Sequence, residues 1–391
     1  MMINNAIFRE RVSQFNGLPG LYIHIPFCRQ KCNYCDFYSR PYSDKKKDRF
    51  LAALTEEIIL YGELLSTEEL KTIYFGGGTP SLLSPADIKD LLDLISDEFP
   101  VNFPSEITLE ANPVCLFPER IQNYSQAGVT RLSLGIQSFS DQDLNLLGRL
   151  HSADEAEQTI MEVRKYFNNF NLDFIFAIPN QTRDVWKNNL AKALSYNPPH
   201  LSLYNLELPT GTLLNELLEN DELHPVEEEL DAEMFNMARK ILTENGYEHY
   251  EISSFCRPGY RSEHNQIYWR YKPYLGLGPG GHGFIGGVRY ENRSDLEMYS
   301  ENLAKRDFPI SRYSILSEKD QMAEMIFLGL RLLAGVKFRE FKQQFGCELR
   351  KVYRKEISRL QEQGLLEIRQ KKICLTERGL LLANRVFMEF V

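Results

Sequence analysis

Leu21-Tyr22-Ile23-His24-Ile25-Pro26-Phe27-Cys28-Arg29-Gln30-Lys31-Cys32-Asn33-Tyr34-Cys35 is the stretch around which the rest of the chain is arranged. Residues 21–25 form an apolar run that reads as a strand, and Pro26 punctuates it. Three cysteines follow at a CxxxCxxC spacing, with an aromatic residue just before the last. Thiolates are soft ligands that iron selects, and so short a loop can wrap three corners of a cube. The spacing therefore reads as a holder for a [4Fe-4S] cluster gripped by three of its four irons. The fourth iron is left open to a small molecule, and the amino-acid end of S-adenosylmethionine is the obvious candidate. Two other readings fit less well. A zinc site usually gathers two close pairs of ligands, and no second pair exists here; His24 could add one ligand at best. A disulfide needs an oxidising compartment, which nothing else in the chain supports.

Outward from this loop, strands and helices alternate. Phe50, Leu54, Ile58, Tyr61 and Leu65 recur at helical spacing and predict a helix from Asp44 to about Ser66. A strand over 71–75 runs into Gly76-Gly77-Gly78-Thr79-Pro80, and Ser84-Pro85 opens another helix. Further strands are expected at 107–113, 131–137, 171–176 and 200–207, with helices at 117–127 and from about Asp141 and Ala153. Six strands separated by helices imply a parallel sheet with right-handed crossovers, an α/β fold built as a partial (β/α)6 TIM-like barrel. The chemically suggestive residues share one position in this scheme. The cysteines follow strand one and the glycines strand two. Glu110, Gln137, Asp173, Asn205 and Glu207 lie on or end strands three to six. In α/β barrels that rim is where ligands bind. The glycine run itself permits close backbone approach to a ligand or makes a tight βα turn, and it lacks the lysine of a phosphate-binding loop.

The domain plan that follows is a polar arm at 1–20 punctuated by Gly17, Pro19 and Gly20, and a barrel at 21–215. A connecting region at 216–310 and a C-terminal winged-helix-like α+β domain at 311–391 complete it. The connecting region is charged and helical over 212–245. It then carries His264-Asn265-Gln266-Ile267-Tyr268-Trp269 and a glycine turn that includes His282. Imidazole is a common axial ligand of heme iron, and aromatic faces suit a porphyrin; a histidine beside Tyr and Trp is also commonly a hydrogen-bonded packing residue. Cys115, Cys256, Cys347 and Cys374 share no useful spacing and read as buried thiols. A formal net charge of -9 over 391 residues argues against a nucleic-acid binder, and the mild basic excess after Ser317 is explained by a solvated face. With no apolar run long enough to span a bilayer and no cleavable leader, a reduced, cytoplasmic protein is expected.

These motifs resemble the radical S-adenosylmethionine superfamily and, within it, the oxygen-independent coproporphyrinogen III oxidase-like proteins. The resemblance runs from Tyr22-Ile23-His24-Ile25-Pro26-Phe27-Cys28 through Gly76-Gly77-Gly78-Thr79-Pro80-Ser81, Glu110-Ala111-Asn112-Pro113 and Ser133-Leu134-Gly135-Ile136-Gln137-Ser138-Phe139 to the C-terminal domain. The oxidase branch carries a fourth cysteine where this chain has Phe37, and the heme-chaperone branch carries the intact His-Asn-x-x-Tyr-Trp motif found at His264. The resemblance to the chaperone branch implies the following. Cys28, Cys32 and Cys35 hold the [4Fe-4S] cluster, and Tyr22, Tyr34, Gly77, Glu110 and His282 line an S-adenosylmethionine site. Gly78, Thr79, Gln137, Arg149 and Asp173 line a second such site described for oxidases. His264 is implicated in heme binding, and heme passes to an acceptor protein, such as a respiratory hemoprotein, with transient membrane association through that acceptor. The alternative is coproporphyrinogen III oxidation. One departure is Phe176-Ala177-Ile178-Pro179, where relatives have a Tyr-Gly-Leu-Pro-like turn.

Overall fold

The computed structural model describes residues 5–13, 17, 20–65, 70–99 and 106–391. Along β1 (Gly20–Ile25), Leu21, Ile23 and Ile25 are fully buried in the main core, and the two-residue period of a strand turns Tyr22 and His24 to the opposite face. The same alternation continues through β2 (Thr72–Gly77), β3 (Glu106–Ala111), β4 (Arg131–Gln137), β5 (Phe170–Phe176) and β6 (His200–Asn205). Apolar residues such as Phe75, Leu109, Leu134, Leu172 and Leu201 join the core on one face. Each contributes about 1.5–3 kcal/mol by leaving water. Polar residues on the other face hydrogen-bond from strand to strand, as Asn171 does to Ser133. The six strands pair in parallel and in chain order, the expected partial (β/α)6 barrel with a polar interior.

The helices lie where capping residues start them. Ser43 caps Asp44–Leu64, and Ser84 caps Pro85–Glu98 in a reciprocal box with Asp87. Strand boundaries differ from expectation in three places, the first being β3, which stops at Ala111 and leaves Asn112 and Pro113 beyond it. β2 continues through Gly76 and Gly77, and β6 stops at Asn205, whose side-chain amide bonds the Asp231 carboxylate at 2.6 Å, so Glu207 lies in the following loop. The helical stretch over 212–245 divides into Leu213–Glu219 and Glu228–Glu244, with Pro225 in the break.

Strands between residues 248 and 315 extend the sheet on both edges. Tyr274–Leu277 runs parallel to β1 and leads to the antiparallel His282–Ile285, Val288–Asn292 and Ile310–Ile315; Ser254–Cys256 and Glu248–Glu251 lie beyond β6. Part of the segment read as a polar arm is a helix, Asn5–Ser13, whose Phe8 is buried edge-on against Tyr290 and Phe308, and Gly20 already belongs to β1. Pro19 and Ser66 lie outside the described residues.

The C-terminal part has its own core, which includes Ile326, Phe341, Leu360 and Val386. Its three-stranded antiparallel sheet runs in the order Val336–Lys337, Lys372–Leu375, Leu366–Arg369. Helices followed by this hairpin match the winged-helix-like expectation. Among the described residues no helix is long and apolar enough to cross a membrane.

Candidate metal and cofactor site

The cysteine loop is stitched to the barrel rim by backbone hydrogen bonds. Tyr42 N bonds Cys28 O (3.1 Å), Thr79 N bonds Phe27 O (2.7 Å), Asn33 N bonds Leu147 O (3.0 Å) and Leu214 N bonds Asn33 O (3.0 Å). Phe27 anchors the start of the loop, packing edge-on against Phe50 at 5.5 Å. All three cysteines are half-buried and unbridged. The Thr79 hydroxyl points at Cys28 Sγ (3.6 Å) and an Arg149 N–H at Cys32 Sγ (3.4 Å). Arg149 also donates to Gly135 O (2.8 Å) and to Asn112 Oδ1, and the Asn112 amide donates to Thr79 Oγ1 (3.1 Å). Burial pushes the Cys35 thiol up to about 11, and Cys32 and Cys28 nearby add to the rise. A cleft of about 340 Å³ open to solvent runs along Cys32, Thr79, Asn112, Arg149 and His151.

Gln137 ends β4 with a left-handed backbone (φ 67°) at a register shift, and a Cβ on Gly135 would lie 3.0 Å from its amide. Non-glycine residues seldom hold that conformation, and it brings this side chain beside Arg149 and Asn112. The glycines of the run are explained by packing onto strand one. A Cβ on Gly77 would meet the His24 ring at 2.6 Å, and one on Gly78 would meet Phe27 O at 2.6 Å. Neither distance admits a side chain.

Deeper in the barrel, Glu110 accepts from the Tyr74 hydroxyl (2.8 Å) and the Gly77 amide (3.2 Å). Burial raises its pKa to about 7 against the pull of the Tyr74 hydrogen bond, with Asp173 adding to the rise. Tyr22 stacks on Tyr74 with ring centroids 6.1 Å apart and bonds His24 Nδ1 (3.1 Å), while His24 Nε2 meets Tyr38 O (2.9 Å). Burial pushes the Tyr34 phenol up although Arg149 lies beside it. Asp173 is held by Ser133 Oγ (2.9 Å) and Asn171 Nδ2 (2.7 Å), and its pKa is raised by burial. His282 is exposed at the start of its strand, which lies between Tyr274–Leu277 and Val288–Asn292 in the sheet, and it is near enough to His24 to reinforce the fall that burial imposes on that imidazole's pKa.

His264 lies at the other end of the strands. The helix Glu263–Trp269 closes the barrel floor, with its first amides on the buried Glu106 carboxylate: Glu263 N at 2.9 Å and His264 N at 3.0 Å. The His264 ring is buried against Tyr74 (5.0 Å). Its Nδ1 meets Thr72 Oγ1 and its Nε2 the Tyr268 hydroxyl, both at 2.7 Å. Burial, aided by the Arg131 charge, lowers its pKa to about 3.

Residues 22–192 match the model of the Radical SAM superfamily, and residues 316–382 that of the HemN C-terminal domain. Among curated proteins, the chain is 36% identical to "Heme chaperone HemW" of Bacillus subtilis (strain 168), over 96% of this chain and 99% of that protein. The chain belongs to the HemW heme-chaperone family of the radical SAM superfamily. It is also 34% identical to "Radical S-adenosyl methionine domain-containing protein 1, mitochondrial" of Bos taurus, over 95% of this chain and 87% of that protein. Among solved structures, coproporphyrinogen III oxidase (HemN) from Escherichia coli superimposes with a TM-score of 0.86. That match is 23% identical, covers 99% of this chain and 93% of the other, and speaks for the fold.

The radical SAM superfamily implies a [4Fe-4S] cluster and S-adenosylmethionine, and the residues present fit the cluster. The donor set is all sulfur, free of disulfides, and two of the sulfurs face polar hydrogens. Among the described residues no three His, Cys, Asp or Glu side chains converge on a single point. A cube gripped by one thiolate per iron asks for sulfurs spread around it, unlike a mononuclear metal. Cys115, Cys256 and Cys374 are buried as expected, and Cys347 is only half-buried.

Asn112, Tyr74, Glu106 and Arg131 are site or floor residues that the sequence motifs do not mark as such. Asn112 and Tyr74 carried a readable signal. Asn112 follows β3 in line with the other rim residues, and Tyr74 alternates with Gly76 on the inward face of β2.

Proposed function

We propose that this protein binds heme and passes it to an acceptor protein in the cytoplasm, with transient membrane association through that acceptor. The observation that carries the reading is its likeness to curated heme chaperones over nearly the whole chain. Heme is the cargo. Cys28, Cys32 and Cys35 would hold a [4Fe-4S] cluster, and binding would release their protons. When bound, the cluster supplies a one-electron store and an open iron for S-adenosylmethionine. Tyr22, Tyr34, Gly77 and Glu110, with His282 at the edge, are proposed to line the first S-adenosylmethionine site. Glu110 suits an ammonium partner, because its carboxylate already faces the rim beside the Gly77 amide. Gly78, Thr79, Gln137, Arg149 and Asp173 are the proposed second set. It is more committed to the protein, since Arg149 and Thr79 point at cysteine sulfurs and Asp173 is held by Ser133 and Asn171.

His264 enters as heme ligand on a condition. Its Nε2 is in use by Tyr268 and its ring is buried, so ligation requires the floor helix to open. Anaerobically reconstituted protein titrated with heme tests the reading in the absorption spectrum. Stoichiometric binding is expected. Wild type that binds no heme ends it, and decarboxylated porphyrinogen formed under reducing, anaerobic conditions would put the oxidase reading in its place. His264→Ala and Tyr268→Phe then locate the ligand: ligation by His264 is lost in the first and strengthened in the second, whose Nε2 is free.

A further inference from the structure

A continuous run of hydrogen bonds joins two of the three cysteine sulfurs across the rim. From Cys28 Sγ it passes through the Thr79 hydroxyl (3.6 Å), the Asn112 amide (3.1 Å to Thr79 Oγ1) and Asn112 Oδ1 to Arg149, which reaches Cys32 Sγ (3.4 Å). Thr79 and Asn112 come from the loops after β2 and β3, and Arg149 from the turn after the helix Asp141–Leu146. Gly135 O fixes the guanidinium from β4 (2.8 Å). Thr79 is buried, at the lining of the cleft.

We propose that Thr79, Asn112 and Arg149 form a positioning bridge that stabilises the reduced state of the bound cluster by donating hydrogen bonds to the Cys28 and Cys32 sulfurs. The inference rests on the cluster reading above. Hydrogen bonds to the thiolate sulfurs and nearby positive charge are levers on an iron-sulfur potential, because reduction adds one negative charge that spreads onto the sulfurs. The step is one electron in from an external reductant, with no bond made and no proton moved. Arg149 contributes a charge as well as a donor, and Thr79 a donor only, so Arg149 should weigh more. Asn112 links them: its carbonyl orients Arg149 while its amide leaves the Thr79 hydrogen free for Cys28.

The test is an anaerobic redox titration of the reconstituted full chain, followed by the electron paramagnetic resonance signal of the reduced cluster, with iron and sulfide measured on each sample. Thr79→Val is expected to keep full iron and shift the midpoint potential to a more negative value, with Thr79→Ser restoring wild type. Arg149→Gln is expected to shift it further in the same direction. Unchanged potentials in Thr79→Val and Arg149→Gln, with iron retained, would overturn the bridge. If Arg149→Gln fails to hold iron, Thr79→Val against Thr79→Ser decides alone. Failure of the underlying cluster reading looks different: wild type itself would take up no iron and sulfide.

Discussion

The two ends of the same six strands are both crowded with polar side chains, and they are built in opposite ways. At the floor the central groups, Glu106 and His264, are buried and matched. Glu106 accepts two helix amides and the Ser262 hydroxyl, and His264 uses both ring nitrogens. At the rim the thiols are half-exposed, and the end of β4 holds Gln137, and the loop after β5 Ala177 and Asn180, in left-handed backbone (φ 67°, 56° and 65°). Polar density therefore does not separate a site from a scaffold in this barrel. Exposure does: Cys32 lines a cleft open to solvent, whereas Glu106 and His264 are buried.

The largest break in that contrast should come from Cys28→Ser. Iron and sulfide taken up on anaerobic reconstitution should fall to background, and the thermal midpoint should stay near wild type, because the rim side chain is half-exposed. Full iron content in the variant would remove Cys28 from the ligand set.

At the floor the effect should fall on stability instead. Glu106→Ala strands two amides and a hydroxyl away from water, at a cost on the order of 3 kcal/mol in urea unfolding with the slope unchanged. A loss under about 1 kcal/mol would mean that the floor helix is not held there.

His264 supplies a pH test of the same closure. Its native pKa is lowered to about 3 from the ordinary 6.5, so between those values the unfolded chain holds a proton that the native one refuses. Stability from this group is present above pH 6.5 and is lost as pH falls toward 3. The wild-type slope of stability against pH between about 4.5 and 6 should exceed that of His264→Gln by about 1.4 kcal/mol per pH unit. Equal slopes would show that His264 titrates freely and that the floor opens.

Much of this was legible in the sequence, for a physical reason. Strand alternation, Ser caps and the cysteine spacing are local signals, so six strands, their helices and the cluster loop could be read directly. What stayed hidden depends on registry between distant segments. Thr72, Glu106 and His264 meet only because one helix returns 156 to 192 residues later to plug the floor. The Thr79–Asn112–Arg149 bridge likewise needs three loops set side by side. The glycines at the end of β2 allowed either a close approach to a ligand or a tight turn, and Gly77 and Gly78 are required by their contacts with His24 and Phe27.

The smallest effect concerns the turn after β5. Ala177 follows β5 with φ 56°, a left-handed conformation that costs an L-residue about 1–2 kcal/mol, and it is buried. Ala177→Gly removes that cost. It also adds about 0.5–1 kcal/mol of backbone freedom to the unfolded chain and forfeits the burial of one methyl, about 0.8 kcal/mol at most. The terms nearly cancel, so unfolding free energy should change by about 0.5 kcal/mol or less. A gain well beyond about 1 kcal/mol would show that the rim stores more strain at this turn than its backbone angle implies. An equal loss would show that the methyl packs the turn in place, making this stretch of the rim as firmly built as the floor.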